Sequence, residues 1–237
     1  MSLMFSNLAA TKKEKPNKKS IRTRKILITA GPTREPIDPV RFLSNISTGY
    51  MGYELARLAS RRKTYDITLI SGPTDFKPPA SVKFIRIETA IQLYKNVHRE
   101  LKKNDILIMT SAVSDFRPAV VYKKKIKKEK VLTLKLVKNP DILGSISKKE
   151  RKGKIIIGFA LETDNILASA RKKLKNKKLD LLIANKLDRQ NVPFGKGPKD
   201  VYLLDRQGRV KKLKKVTKIF IARAILDTLE QLCYTPN

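Results

Sequence analysis

Two short stretches of this chain carry residues suited to phosphate and acyl chemistry: Asn45 with Ser47-Thr48-Gly49, and the run Lys125-Ile-Lys-Lys128. An asparagine is neither nucleophile nor general base at neutral pH, but its amide orients a carboxylate and donates to a developing oxyanion. An isolated Asn is equally at home in a turn. Ser47-Thr48-Gly49 lies just ahead of a helical pattern, where hydroxyls and free backbone N–H groups suit a phosphate. The same two hydroxyl residues would also serve as a helix N-cap. The lysine run could close over a polyphosphate and neutralise its charge during transfer, although most lysine runs are solvated surface.

The elements that must position these residues alternate between strand and helix. Apolar runs ending in small or polar residues mark strands at Lys25–Gly31, Ile67–Gly72, Val82–Ile87, Asp105–Ala112, Lys154–Phe159 and Asp180–Asn185. Helical spacing appears over Tyr53–Arg62, Ala90–Leu101, Ile166–Lys178 and Thr217–Leu232. Continuous Ile and Leu runs, rather than in/out alternation, predict a parallel sheet covered by helices. The expected fold is one doubly wound, Rossmann-like α/β domain over residues 25–237, after a disordered basic tail over 1–24. Asp200–Asp205 and Val210–Leu213 predict a β-hairpin excursion, and residues 118–138 a basic flap with a short strand at Leu132–Val137. In such sheets ligands bind outside the carboxyl ends of the strands. Thr29–Thr33, Thr110–Asp115, Phe159–Thr163 and Ala184–Lys186 should therefore meet at one rim.

Composition narrows the classes. A net charge of +32 speaks to partners and not to fold. Lys12–Lys25 and Lys123–Lys138 each hold eight basic residues against one acidic. Aromatics are 6 % of the chain, Trp is absent, and the basic clusters contain almost none, which is unlike a nucleic-acid stacking surface. A basic nucleic-acid-binding α/β protein stays open as a rival, as does another nucleotide-binding Rossmann enzyme. No apolar run reaches spanning length and no secretory signal is present, so a cytoplasmic protein is expected, with no membrane contact. Cys233 and His98 are the only residues of their kinds, which leaves no disulfide, zinc set or His-based triad to expect. No G-x-G-x-x-G follows the first strand, which disfavours a nicotinamide-dependent oxidoreductase.

Five stretches occur in the order known from one family: Ile28–Gly49, Ala112-Val-Ser-Asp115, Lys125-Ile-Lys-Lys128, Lys138-Asn-Pro-Asp141 and Gly158–Thr163. Over about residues 25–232 the chain resembles phosphopantothenate–cysteine ligase of coenzyme A biosynthesis. In many bacteria this ligase is fused behind a flavin-dependent decarboxylase; with 24 residues ahead of the first strand, a stand-alone, flavin-free form is expected. The resemblance implies that 4′-phosphopantothenate is activated by a nucleoside triphosphate, with Mg²⁺, to an acyl-nucleotidylate. The amine of L-cysteine then displaces the nucleotide. Members with this lysine motif typically use CTP, whereas the eukaryotic enzyme can use ATP, so CTP is expected. By similarity Asn45 handles the acyl-nucleotidylate, Arg41 shares its loop, and Lys125 is the flap lysine needed to form that intermediate. Met109, Thr110, Ser111, Asp115, Pro140, Asp141, Ile142, Leu143, Phe159, Lys173 and Lys177 fall where bacterial members bind nucleotide. Ser47, Thr48, Gly49, Ala112 and Asn185 are candidates for the substrate's phosphate and pantothenate moiety. Tyr50 stands where bacterial relatives often carry Lys, and Ser111 where Ala is common. The family is dimeric, which implies a homodimer; the resemblance assigns no metal ligands.

Overall fold

A computed structural model describes residues 23–127, 130–162, 164–186 and 197–234. The expected tail therefore lies outside the described residues up to residue 22, as do Lys128 and Thr163. The chain opens with β1 (Arg24–Ala30), whose Ile26, Leu27 and Ile28 are completely buried, as a central parallel strand requires. The long connection after it contains a small antiparallel hairpin, β2 (Arg34–Pro36) and β3 (Phe42–Ser44), before α1 (Tyr50–Ser60). Then come β4 (Tyr65–Ser71), β5 (Lys83–Arg86), α2 (Ala90–Leu101) and β6 (Ile106–Met109). A second small ribbon, β7 (Phe116–Pro118) with β8 (Leu136–Lys138), forms the base of the basic arm. The chain continues through α3 (Ile142–Ser145), α4 (Lys148–Arg151), β9 (Ile155–Glu162), α5 (Ile166–Asn176) and β10 (Leu181–Lys186). It ends with β11 (Lys199–Asp205), β12 (Val210–Val216) and α6 (Lys218–Tyr234).

The main sheet runs β12-β11-β10-β9-β6-β1-β4-β5, parallel from β5 to β10. Strand order reverses between β1 and β6, because the chain builds β4 and β5 on one side of β1 and then returns to build β6, β9 and β10 on the other. One face packs on α1 and α6 through Leu55, Ala56, Ile221 and Ile225; the other packs on α2 and α5 through Leu93, Val97, Ala170 and Leu174. This is the doubly wound α/β arrangement that the Ile and Leu runs predict.

Three expectations are corrected. The C-terminal hairpin is no excursion: β11 pairs antiparallel with β10 and buries Val201 and Leu203 on one face and Leu204 on the other, so it belongs to the core. β12 is the sheet edge, where Lys211, Lys212, Lys214 and Lys215 flank the single buried Leu213 and oppose pairing with another chain. Within the flap, pairing is confined to Leu136–Lys138, because β7 is only three residues long and ends at Pro118, which has no N–H to donate. Leu132, expected in that strand, is exposed. Finally, neither Ser47 nor Thr48 is the N-cap of α1. That position is Gly49, at φ 76, with no side-chain cap. Its left-handed backbone excludes a comfortable Cβ, and a Cβ there would also lie 3.1 Å from Gly31 Cα. The two glycines thus close the long connection on itself.

Candidate active site

A cavity of about 1100 Å³ opens across the carboxyl ends of β1, β6, β9 and β10, above the point where strand order reverses. That volume exceeds what a single small substrate needs. Its floor is a hydrogen-bonded splice between the ends of β1 and β6. Thr29 Oγ1 accepts from the N–H groups of Thr110 (3.1 Å) and Ser111 (3.2 Å). Thr110 Oγ1 donates to the Thr29 carbonyl at 2.6 Å, and Ser111 Oγ to that of Ala30 at 3.1 Å. Threonine and serine at strand ends thus fix a turn that continuous strand bonding would not form.

The connection after β1 supplies one wall through Asn45, Ser47, Thr48 and Gly49. Asn45 Nδ2 donates to the Val113 carbonyl at 2.9 Å, which ties this wall to the loop after β6 and fixes the amide's plane. Ser47 Oγ accepts from Gly49 N (3.3 Å) and Thr48 Oγ1 from Tyr50 N (3.4 Å). Both hydroxyls therefore stabilise the turn as acceptors and keep their protons for a ligand. Met109 at the end of β6 and Thr110, Ser111, Ala112 and Asp115 in the loop after it add to the lining.

A third wall comes from the α3 region and α5. Pro140, Asp141, Ile142 and Leu143 line it, with Phe159 on β9, Lys173 in the last turn of α5 and Lys177 at its C-cap. Lys173 pairs with Glu162 at 3.0 Å, and Lys177 with Asp141. Burial pushes the Asp141 carboxyl up, but the Lys177 ammonium and the Gly144 N–H outweigh it and hold the group below its ordinary value. Arg151 anchors this segment by donating to the carbonyls of Leu143, Ile146 and Lys178. Asn185, at the end of β10, also lines the cavity, and its Oδ1 is a buried acceptor with no partner among the described residues.

Two sequence candidates stand apart. Neither Arg41 nor Lys125 lines the cavity. Arg41 Nη2 instead donates to the Ile126 carbonyl at 2.7 Å, so the hairpin holds the neighbour of Lys125. Tyr50, noted in the sequence, lines the cavity, and so do residues not singled out there: Ser114, Lys138, Asn139 and Lys218. Ser114 and Asn139 sat inside the quoted motifs and could have been found there. Lys218 could not, since it follows a lysine-rich edge strand and reads as more of the same.

Among the described residues no group of three or more His, Cys, Asp or Glu could hold a metal ion, and no helix is long and apolar enough to cross a membrane. A Mg²⁺ carried mainly by a triphosphate needs one or two carboxylates and not a cage. Asp115, exposed at the cavity, is a carboxylate of that kind.

A doubly wound sheet with a crevice at its switch point, walled by lysines, hydroxyls and amides, defines the Rossmann-like α/β class. Within that class the family is specific. Residues 21–232 match the DNA/pantothenate metabolism flavoprotein C-terminal domain, and the chain belongs to that family. It is similar to the coenzyme A biosynthesis bifunctional protein CoaBC of Borreliella burgdorferi, 42 % identical over 212 residues, covering 88 % of this chain and 53 % of that protein. It is similar also to the crystal structure of the C-terminal domain of a CoaBC protein, with TM-score 0.76 and 34 % identity over 90 % of this chain and 96 % of that one. A variant of Cab2 in complex with phosphopantothenate-cysteine shares the fold, with TM-score 0.68 and 18 % identity over 90 % of each chain. The chain spans about half the length of the curated relatives it matches.

Proposed function

We propose that this domain joins 4′-phosphopantothenate to L-cysteine, using CTP, in coenzyme A biosynthesis. The supporting observation is the large cavity where the Asn45–Gly49 wall and the Lys173/Lys177 wall face a common space at the switch point. Family membership and the similarity to CoaBC supply the substrate class. A carboxylate is a poor acyl donor to an amine, so the reaction needs a leaving group. The pantothenate carboxylate attacks the α-phosphorus of CTP, pyrophosphate departs, and an acyl-cytidylate forms. The cysteine amine then attacks the acyl carbon, CMP departs, and the amide is made with loss of the amine proton. Mg²⁺, bound with the triphosphate, would neutralise part of its charge.

The chain's own residues position groups and balance charge. Lys173 and Lys177 release Glu162 and Asp141 to meet the triphosphate; Thr110, Ser111, Asp115, Pro140–Leu143, Met109 and Phe159 hold the nucleoside. Ser47, Thr48, Gly49 and Ala112 meet the phosphate end of the acyl substrate. The orphaned Asn185 Oδ1 accepts from an amide or hydroxyl of the pantothenate chain. Asn45, its plane fixed by Val113, steadies the acyl-nucleotidylate during attack by cysteine. Lys125 acts in the first step when the arm closes.

A homodimer fits an exposed apolar surface shared by the two small ribbons: Val40, Phe42 and Ile46 on one, Phe116, Val120 and Leu136 on the other. The test is pyrophosphate release with all three substrates and Mg²⁺, run with CTP and ATP in parallel. Turnover that needs both 4′-phosphopantothenate and CTP, and that Lys125→Gln abolishes, supports the proposal. Tight, salt-sensitive DNA or RNA binding without turnover would instead favour the nucleic-acid rival.

A further inference from the structure

The cavity lysines differ in one respect. Lys173 and Lys177 each already have a carboxylate partner. Lys138 is exposed, so water solvates it. Lys218, at the first position of α6, is half-buried, lines the cavity, and pairs with no carboxylate among the described residues. Its ammonium lies 5.7 Å from the centre of the Tyr50 ring, against the first turn of α1. Buried Lys199 adds like charge, and burial together with Lys199 depresses the Lys218 pKa. A half-desolvated cation that no carboxylate among the described residues pairs with is electrostatically incomplete until an anion arrives.

The same corner is rich in donors. Ser47 and Thr48 accept from Gly49 and Tyr50 N–H, which leaves both hydroxyl protons directed to other acceptors. α1 is eleven residues long, and its first turn adds N–H groups with no carbonyl four residues back. α5, which carries Lys173 and is capped by Lys177, packs on the opposite face of the sheet from α1 and α6. The cavity thus has two separate cationic sites. A reaction between a triphosphate and a second phosphorylated substrate needs two.

We infer that Lys218 binds the terminal phosphate monoester of the acyl substrate, together with Ser47 and Thr48, and so selects a phosphorylated pantothenate over an unphosphorylated one. This rests on the ligase reading and adds to it a residue that reads the phosphate. Tyr50 then serves as the aromatic floor under the Lys218 ammonium rather than as a phosphate contact.

The experiment compares wild type, Lys218→Met and Lys218→Arg with 4′-phosphopantothenate and with pantothenate. Lys218→Met is expected to raise KM for 4′-phosphopantothenate about 10- to 100-fold, the worth of one charge-assisted hydrogen bond. It should leave KM for CTP unchanged and do no harm to the pantothenate reaction, while Lys218→Arg recovers most of the loss. An unchanged KM for 4′-phosphopantothenate, a loss falling on CTP, or an equal loss with pantothenate would overturn the assignment. Calorimetric binding of 4′-phosphopantothenate and pantothenate, without CTP, reads the same discrimination separately from turnover. A wild-type chain that binds the phosphorylated compound through Lys218 yet gives no product would sink the ligase reading alone.

Discussion

Arg41 and Ile126, 85 residues apart, are joined by a hydrogen bond from the guanidinium Nη2 to the Ile126 carbonyl at 2.7 Å. Asp38 completes the clip: its Oδ2 accepts from Ile126 N at 3.2 Å, while its Oδ1 accepts from Val40 N and Arg41 N. Both backbone groups of one flap residue are thus held by a hairpin whose continuation, Asn45–Gly49, walls the cavity. Burial pushes the Asp38 carboxyl up, yet the three N–H donors and the Arg41 charge hold it below its ordinary value, so the clip is intact at neutral pH.

Arg41→Met should release the arm without touching the nucleotide. The expected result is a fall in the single-turnover rate of pyrophosphate release on the order of 10- to 100-fold, with CTP affinity retained. Equal loss of rate and CTP affinity would place Arg41 in the nucleotide site instead.

Asn45→Asp exchanges the Nδ2 donor to Val113 for a carboxylate facing that carbonyl. The second step should suffer most. Pyrophosphate release is expected to continue while amide formation falls roughly 100-fold, in line with loss of one oriented donor. The acyl-cytidylate should then be visible by mass spectrometry of the quenched reaction; its absence alongside normal product would remove Asn45 from that step.

Glu150 gives a pH signature. Its carboxylate meets His98 Nδ1 at 2.8 Å and accepts from Ser147 N and Oγ at 2.9 and 2.7 Å. The His98 hydrogen bond, with those from Ser147, lowers its pKa from 4.5 to about 2. A carboxylate lowered by folding stabilises above its unfolded value and loses that contribution as pH falls through the folded one. The stability gap between wild type and Glu150→Gln should be on the order of 1 kcal/mol above pH 4.5, given partial solvent screening, and close toward pH 2. Thermal melts of the two proteins across that range check it; a gap that does not narrow would mean the bonds are not charge-dependent.

Much of the scaffold was legible because β1, β4, β6, β9 and β10 are buried on both faces, and that demand writes Ile and Leu runs into the chain. β2 and β3 left no such trace: three residues each, with Phe42 largely exposed and Glu35 buried to accept from Ala90 N at the start of α2. Reading β11 as an excursion failed for a related reason, since a hairpin's pattern does not say which sheet it joins. Most motif residues do line the cavity, because strand ends converge wherever a parallel sheet forms. Arg41 and Lys125 depart from this, as their placement depends on how an arm folds back, which residue types do not encode. Lys218 was invisible for the opposite reason: its environment is made by α1 packing on α6, while its neighbours in sequence are surface lysines.

Gly52 shows how tightly the crevice depends on helix–sheet distance. A Cβ there would sit 2.5 Å from Ala30 Cβ, 2.7 Å from Thr110 Oγ1 and 2.9 Å from the Thr29 carbonyl. Two of those atoms form the 2.6 Å bond that fixes the turn after β6. A methyl group must lift α1 or break the bond, and backbone on one side leaves little room to yield. Gly52→Ala is expected to cost about 1–3 kcal/mol in chemical denaturation, as overpacking does. It should also weaken CTP binding, because Thr110 and Ser111 move with the turn. Gly197→Ala, where a Cβ meets nothing within 4 Å, is the control and should stay within about 0.5 kcal/mol of wild type. If Gly52→Ala binds CTP as well as wild type does, the helix gives way and the splice between β1 and β6 is not what sets the nucleotide site.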